Sequence, residues 1–531
     1  MSDRRLPSRL IGSLLMGLMT INVAMAADSS RPRLVVGIVV DQLRSDYLQY
    51  LQQLFGESGF RRLMNDGLYI RHVDFKADIS DPVAATAILY TGNYAGASGV
   101  PASEIYCMAS ALTEPALQDM NSLGIFTRES LSPVNLRIST ISDEVAIDGD
   151  GLTSVYAVSP DPQQSIIMAG HAGSCALWIN DIDGKWSSTA YYRDFPEFIT
   201  RRNSRNPLSS RLDTLSWRPS ISPERYPGVP PQKRHYPFRH TFPLSDKDVF
   251  RRFKASAPVN TEVTDVAIDA IRNLNLGGRD DGIDMLSVAY TAAPYKYVSD
   301  GDYRVELEDT YLRLDAQLGR LLNEIDSRVG LGNALIFLSS TGYYDDATPD
   351  DPKFRIPTGE VSLKRVESLL NSYLSAKYGN ADYVRGVYGN QLYLDHKALE
   401  SHGLAPDEAQ GEARDFLVKM SGISDARTLS EILADTSDDS RRLRQGIDPK
   451  SAGDIFLTFL PGWSVIEDSH YPPKVKHIRS GMVSTPFFLL GSGVKAEVIT
   501  MPVDAAALAP TVTSTLHIRS PNGASRRPVN Y

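Results

Sequence analysis

Cysteine is scarce in this chain: Cys107 and Cys175 are the only two among 531 residues. Two cysteines exclude a disulfide scaffold; in an oxidising compartment they could form one bond, with a pair of buried free thiols as the alternative. Low-complexity tracts and internal repeats are missing as well, which removes solenoids, fibres and long disordered arms from consideration. Beyond residue 26 no apolar run approaches the roughly 20 residues that cross a bilayer. Positive charge is outweighed, with 55 Lys and Arg against 64 Asp and Glu for a net charge of −9. That balance lacks the clustered cations that a phosphate backbone rewards, so nucleic acid is not an expected partner.

What is present is the composition of a globular protein, 42% hydrophobic and 22% charged. The chain is long enough for one large domain with insertions or for about two to three smaller ones. Arg4, Arg5 and Arg9 precede an apolar run from Leu10 to Ala26, and Ala24-Met25-Ala26 before Ala27 is a small-residue cleavage pattern. Ser13, Thr20 and Asn22 interrupt the run, so residues 1–26 read as a cleaved signal peptide and not as an anchor. The mature chain is then exported, to the periplasm or the wider cell envelope. Cleavage removes three arginines against the single Asp3, which takes the net charge from −9 to −11.

Residues 34–40 form an unbroken, β-branched apolar run, the pattern of a strand buried on both faces of a parallel sheet. Similar runs recur at 154–158, 285–289, 334–338 and 487–490. Over 305–329, Leu307, Tyr311, Leu314, Leu318, Leu321, Leu322 and Ile325 recur at helical spacing, and Gly330 and Gly332 end the helix. Strand, helix and parallel strand in series predict an α/β fold: a doubly wound, mostly parallel sheet with helices on both faces. Its sites lie beyond the carboxyl ends of the strands. Two stretches break the rhythm. Residues 201–242, rich in Pro, Arg, Ser and Tyr without sustained periodicity, read as a long surface insertion. Residues 345–454, with a helical stretch over 360–378 and a strand over 391–394, read as a cap subdomain. The mature chain then divides into a core over 32–344, the cap, and a C-terminal part of the core over 455–531.

Asp41 ends the first strand, where a carboxylate serves either as ligand to a divalent metal or as the cap of the next helix. Residues 34–48, Tyr90-Thr91-Gly92, Ala169-Gly170-His171, 178–181, 184–186, 305–315, 509–512 and 520–523 together resemble the alkaline phosphatase superfamily. The likeness is to the branch of threonine-nucleophile alkaline phosphatases and type I phosphodiesterases/nucleotide pyrophosphatases, and it runs over nearly all of the mature chain. The resemblance implies two zinc ions held by Asp and His, a Thr or Ser nucleophile, and groups that grip the phosphoryl oxygens. Those metals lower the pKa of the nucleophile and neutralise the attacking and leaving oxygens.

Carried over residue by residue, the pattern keeps Asp41 as a ligand and loses the rest. The nucleophile position falls on Pro82, which has no hydroxyl. Ser80 and Thr86 flank it as substitutes in a shifted register, or simply as a turn residue and a helix residue. The phosphoryl-binding Asn falls on Ser103; the assisting Lys and Arg fall on Asp161 and Gln163, an anion where a cation would meet phosphate. The Asp-x-x-x-His pair falls on Ala292 and Lys296, the Asp-His-Gly on Ser339 to Tyr343, and the last His on Ser484.

These losses predict a catalytically degenerate protein of the cell envelope, without its two zinc ions, that binds a small-molecule ligand or a protein partner. The alternative is an active metal-dependent hydrolase of phosphate mono- or diesters with a non-standard site. It would hold zinc, or one Mg²⁺ or Ca²⁺, through Asp41 with Asp345 and Asp346, which are otherwise solvated loop acids. The residues offered for binding are Ser103, Asp161, Gln163, Tyr295, Lys296 and Tyr343. Several of the 25 tyrosines fall near strand ends, where they would stack on a sugar or base, receive a partner, or fill the space the metals left. His171 reads as the maker of a structural hydrogen bond, Asp395-His396 as the start of a cap helix, and His470 and His477 as surface residues.

Overall fold

The computed structural model describes residues 31–531, apart from Ser80, Asp300 and the segments 345–356, 469–472 and 479–482. The predicted signal peptide, Ser80, Asp345, Asp346 and His470 lie outside the described residues.

The core begins with β1 (Leu34–Asp41), β2 (Leu68–Asp74), α1 (Pro82–Thr91), β3 (Val155–Ser159), α2 (Pro162–Ala169) and β4 (Cys175–Ile179). It continues through α3 (Pro258–Asn273), β5 (Asp284–Thr291), α4 (Arg304–Arg328) and β6 (Ala334–Ser340). The cap follows with α5 (Leu363–Tyr378), β7 (Val384–Tyr388), β8 (Gln391–Leu394), β9 (Ile423–Thr428) and β10 (Ile455–Phe459), and β11 (Thr485–Gly491) returns to the core. One sheet of 11 strands carries β2, β11, β6, β1, β5, β3 and β4 as successive neighbours. Strands β6, β1, β5, β3 and β4 run parallel, while β11 runs antiparallel between β6 and β2. The sheet is mixed and mostly parallel, with helices on both faces.

Burial on two faces explains the unbroken apolar run of β1. Val36, Ile38 and Val40 enter one layer with Leu48 and Leu318, and Val35 and Val39 enter the other with Ala85 and Ile88. Gly37 interrupts the run because a Cβ there would stand 2.5 Å from both the Tyr90 hydroxyl and the Phe337 ring. Leu314, Leu318, Leu321, Leu322 and Ile325 of α4 are each 0% exposed, the stripe that the spacing predicts.

Residues 201–242 differ from the predicted surface loop. Trp217, Tyr226 and Phe242 are fully buried. Trp217 Nε1 donates to Asp309 at 2.6 Å, the Tyr226 hydroxyl donates to Asp309 at 2.7 Å, and the Lys233 ammonium donates to Glu306 at 2.9 Å. Carboxylates on the opening turns of α4 therefore clasp the insertion from below. Its anchors are single aromatic and cationic residues without a period, so no periodicity could reveal them.

The cap has its own antiparallel sheet, in the order β7, β8, β10, β9, and its own apolar core around Leu370, Leu374, Leu392, Leu417 and Ile455. Strand β10, which the sequence division gives to the C-terminal core, is thus paired into the cap. The helix predicted from residue 360 begins at Leu363, because Gly359–Ser362 is a strand and the Ser362 hydroxyl caps the helix. Cys107 and Cys175 are both free. Only Cys175 is a buried thiol, and burial pushes its pKa up to about 12. Among the described residues no helix is long and apolar enough to cross a membrane.

Candidate functional site

The carboxyl ends of β1, β5 and β6 meet at Asp41. Its backbone carbonyl accepts the Ala292 N–H just past β5 at 2.8 Å, and the Val40 carbonyl accepts the Thr341 N–H just past β6 at 3.2 Å. That register brings the Thr341 hydroxyl 3.1 Å from one Asp41 carboxylate oxygen, while the Gln42 side-chain amide reaches the other at 3.4 Å. Gln42 adopts a left-handed φ of 60°, and its N–H donates to Thr341 Oγ1 at 3.2 Å. Desolvation pushes the Asp41 pKa up to about 7; the bonds from Thr341 and Gln42 oppose the shift, and the charges of Asp81 and Asp161 add to it.

Those two neighbours sit at the starts of helices that open on the same side. Asp81 caps α1: one oxygen accepts the N–H groups of Val83 and Ala84 at 3.0 and 3.1 Å, and the other accepts the Ser103 N–H at 2.6 Å. Asp161 caps α2, accepting the Gln164 N–H at 2.9 Å. Burial raises its pKa to about 6, against Lys254 and the Gln164 N–H and with the help of Glu129 and Asp81. Backbone donors that favour an anion are therefore already filled by the chain's own carboxylates.

Several predicted site residues turn out to be structural. Pro82 is the first residue of α1, where its missing N–H costs nothing. Thr86 is 0% exposed; its hydroxyl donates to the Pro82 carbonyl at 2.8 Å and accepts from the Gln164 amide at 3.1 Å, so it is not a free nucleophile. The Gln163 side chain is spent on the Leu117 N–H and the Ser103 carbonyl, at 3.0 and 2.7 Å. Tyr295 is 0% exposed and packs 5.1 Å from Trp217 and 4.8 Å from His240, inside the clasped insertion. Lys296 is exposed; Ser103 and Tyr343 are half-buried, with Lys476 set 6.0 Å over the Tyr343 ring. Ser484 Oγ lies 2.5 Å from His72 Nδ1. His171 lies between Asp143 at 3.0 Å and the Leu136 carbonyl at 2.7 Å, the structural bond the sequence suggests.

Three participants escape the sequence reading: Asp81, the Thr341 hydroxyl and His72. An Asp directly before a Pro at the head of an apolar helix is a capping signal, so Asp81 could have been found. The Thr341 contact depends on the register of β1 with β6 across 300 positions, which no local pattern encodes.

The resemblance implies two zinc ions, and the donor chemistry tests that implication. Among the described residues no group of three His, Cys, Asp or Glu side chains is placed to hold a metal ion. Beside Asp41 stand a neutral hydroxyl and a neutral amide. Such groups neither offset two dications nor replace imidazole, so the described donor set does not fit a two-zinc centre.

Residues 35–482 match the family model of type I phosphodiesterase / nucleotide pyrophosphatase. The chain is 27% identical to the alkaline phosphatase PafA of Elizabethkingia meningoseptica over 97% of its own length and 98% of the relative. It is 26% identical to the alkaline phosphatase PhoV of Synechococcus elongatus, over 93% of this chain and 92% of that one. The crystal structure of wild-type PafA superimposes with a TM-score of 0.81 at 26% identity, covering 94% of this chain and 98% of that chain.

Proposed function

The chain belongs to the type I phosphodiesterase/nucleotide pyrophosphatase family of the alkaline phosphatase superfamily, and from the described donor set around Asp41, not from that membership, we propose an exported envelope protein that binds a ligand or partner without two-zinc phosphoryl transfer. The observation that carries this reading is the Asp81 carboxylate seated on the N–H groups of Val83, Ala84 and Ser103. A phosphoryl group seeking those donors competes with a tethered anion, and it approaches Asp41 and Asp161 as well. Above about pH 7, where Asp41 and Asp161 are ionised together with the Asp81 cap, their charge favours exclusion of phosphate. No nucleic acid partner is part of this reading, in keeping with the net charge of −9. The core, clasped insertion and cap form its division of labour, with the cap and strand ends as binding surfaces.

A second reading is a metal-dependent phosphoric ester hydrolase with a non-standard site. It is favoured by the full-length likeness to two alkaline phosphatases and by Asp41 at the end of β1. It needs further donors, such as Asp345 and Asp346, that lie outside the described residues. One experiment separates the two. The purified mature chain is analysed for zinc, magnesium and calcium, then offered p-nitrophenyl phosphate and bis-p-nitrophenyl phosphate with each metal. We expect substoichiometric metal and no turnover that differs between wild type and Asp41→Ala. About two zinc per chain, or turnover abolished by Asp41→Ala, establishes the hydrolase instead.

A further inference from the structure

The net charge of −9 conceals a local reversal. Residues 201–242 hold nine Lys and Arg against Asp213 and Glu224, a net +7, which leaves −16 on the rest of the chain. Four of those cations are spent on carboxylates: Arg202 and Arg211 on Glu262, Lys233 on Glu306, and Arg201 on Glu197. Arg205, Arg218, Arg225, Arg234 and Arg239 are exposed and have no carboxylate within ion-pair distance among the described residues. The clasp accounts for part of this imbalance. Its acids Glu306 and Asp309 are buried beneath the insertion, so they compensate charge on the inner side and none on the outer.

The backbone brings two of the five together. Ser216–Trp217 and His240–Thr241 pair antiparallel, with Trp217 opposite His240. Alternation turns Trp217 and His240 inward, onto each other at 5.3 Å and onto Tyr295, and one step along the same register sets Arg218 opposite Arg239 on the outward side. Both guanidiniums donate through Nε to one acceptor, the Ser216 hydroxyl, at 3.4 and 3.2 Å. Like charges directly opposite on paired strands repel. Here they share an uncharged oxygen and keep their terminal NH₂ groups unspent. Asp309 cannot relieve them, because it is 0% exposed and already bonded to Trp217, Tyr226, Ser220 and Arg313. Glu224 is bonded by the Ser222 hydroxyl and faces Arg234 and His235, and Asp213 accepts the Leu244 N–H at 3.3 Å. A phosphate oxygen pair set between two such forks replaces the repulsion by charge-assisted bonds. Tyr236, three residues before Arg239 and 82% exposed, adds to the same segment an amphipathic ring of the kind that sits at headgroup level.

We propose that Arg218 and Arg239 grip the phosphate of an anionic phospholipid, so that the outer face of the insertion docks reversibly on an anionic bilayer surface. A planar surface is favoured over a nucleic acid strand because the free cations occupy one small insertion, and the −16 elsewhere repels a polyanion that extends past it. A few cations without an acyl chain give a salt-sensitive contact and no permanent anchor. The proposal takes from the preceding reading only the envelope location, and it stands whether or not the strand ends hold metal. The test is co-sedimentation of the full mature chain with vesicles of phosphatidylcholine alone and of phosphatidylcholine with phosphatidylglycerol. Binding is expected on the anionic vesicles and not on the neutral ones, and it is expected to vanish as NaCl rises from about 0.05 M to about 0.5 M. Arg218→Gln combined with Arg239→Gln is expected to weaken it at least about tenfold. Arg441→Gln, which removes an exposed cation from the cap, is expected to leave it unchanged. These side chains are exposed and the variants are checked by thermal unfolding, while the salt dependence of the wild type reads the contact without any substitution. Heparin and a single-stranded oligonucleotide serve as soluble polyanions in calorimetry. No binding to anionic vesicles, equal binding to neutral ones, an unaffected double variant, or capture of the soluble polyanions alone overturns the proposal.

Discussion

Asp41 carries an electrostatic cost that the bonds from Thr341 and Gln42 relieve only in part. Its carboxyl ionises at about 3.8 when unfolded and about 7 in the folded chain, so the native state holds a proton that the unfolded state has already lost across that interval. Stability contributed by this group is thus full below about pH 4 and declines as pH rises through 7. Asp41→Asn keeps the shape and removes the charge. It is expected to match wild type at pH 4 and to exceed it at pH 8 by about 1–2 kcal/mol, a figure below the 1.4 kcal/mol per pKa unit because water reaches this partly exposed strand end. Urea denaturation at the two pH values reads the difference. A variant less stable than wild type at pH 8 would falsify the reading and indicate that the ionised carboxyl holds a cation.

At the scale of elements, the opening turn of α1 depends on Asp81. Replacing it by alanine deprives the Val83, Ala84 and Ser103 N–H groups of their acceptor, at a cost of about 1–2 kcal/mol. The same change uncovers those donors. Phosphate or sulfate is expected to raise the melting temperature of Asp81→Ala and to leave wild type unmoved, as followed by differential scanning fluorimetry. Equal responses of the two proteins count against self-occupation of the helix start. Elements differ in how plainly the sequence announces them. Strand β1 and helix α4 were legible because burial writes itself as a period, two-faced in one and helical in the other. The antiparallel direction of β11 was not, since an apolar run carries no arrow. Nor was the docking of residues 201–242, whose hold on Asp309 and Glu306 rests on isolated side chains. The place of Asp41 at the carboxyl end of β1 could be read from the apolar run before it. The fates of Thr86 and Gln163 could not, because a hydroxyl or amide spent on the backbone looks the same in sequence as a free one, nor could the burial of Tyr295 against Trp217 and His240.

For the whole molecule the question is what seats the cap on the core. Arg137 of the core forms a two-pronged ion pair with Asp448, both bonds at 2.7 Å, and Asp448 is 5% exposed against 30% for Arg137. Arg442 adds a bond to the Phe75 carbonyl at 2.9 Å. Such paired, directional contacts fix orientation more than they add stability, in the manner of interfaces between domains of one chain. Asp448→Ala leaves the guanidinium unpaired yet half open to water, which places its cost below the about 3–5 kcal/mol of a fully buried pair, near 2 kcal/mol. The expected signature is local: faster hydrogen exchange over residues 438–448 and earlier proteolytic cleavage there, with β1 and β5 protected as in wild type. Uniform loss of protection through both core and cap would mean that the pair supports the whole fold, and that the cap has no independent seating to disturb.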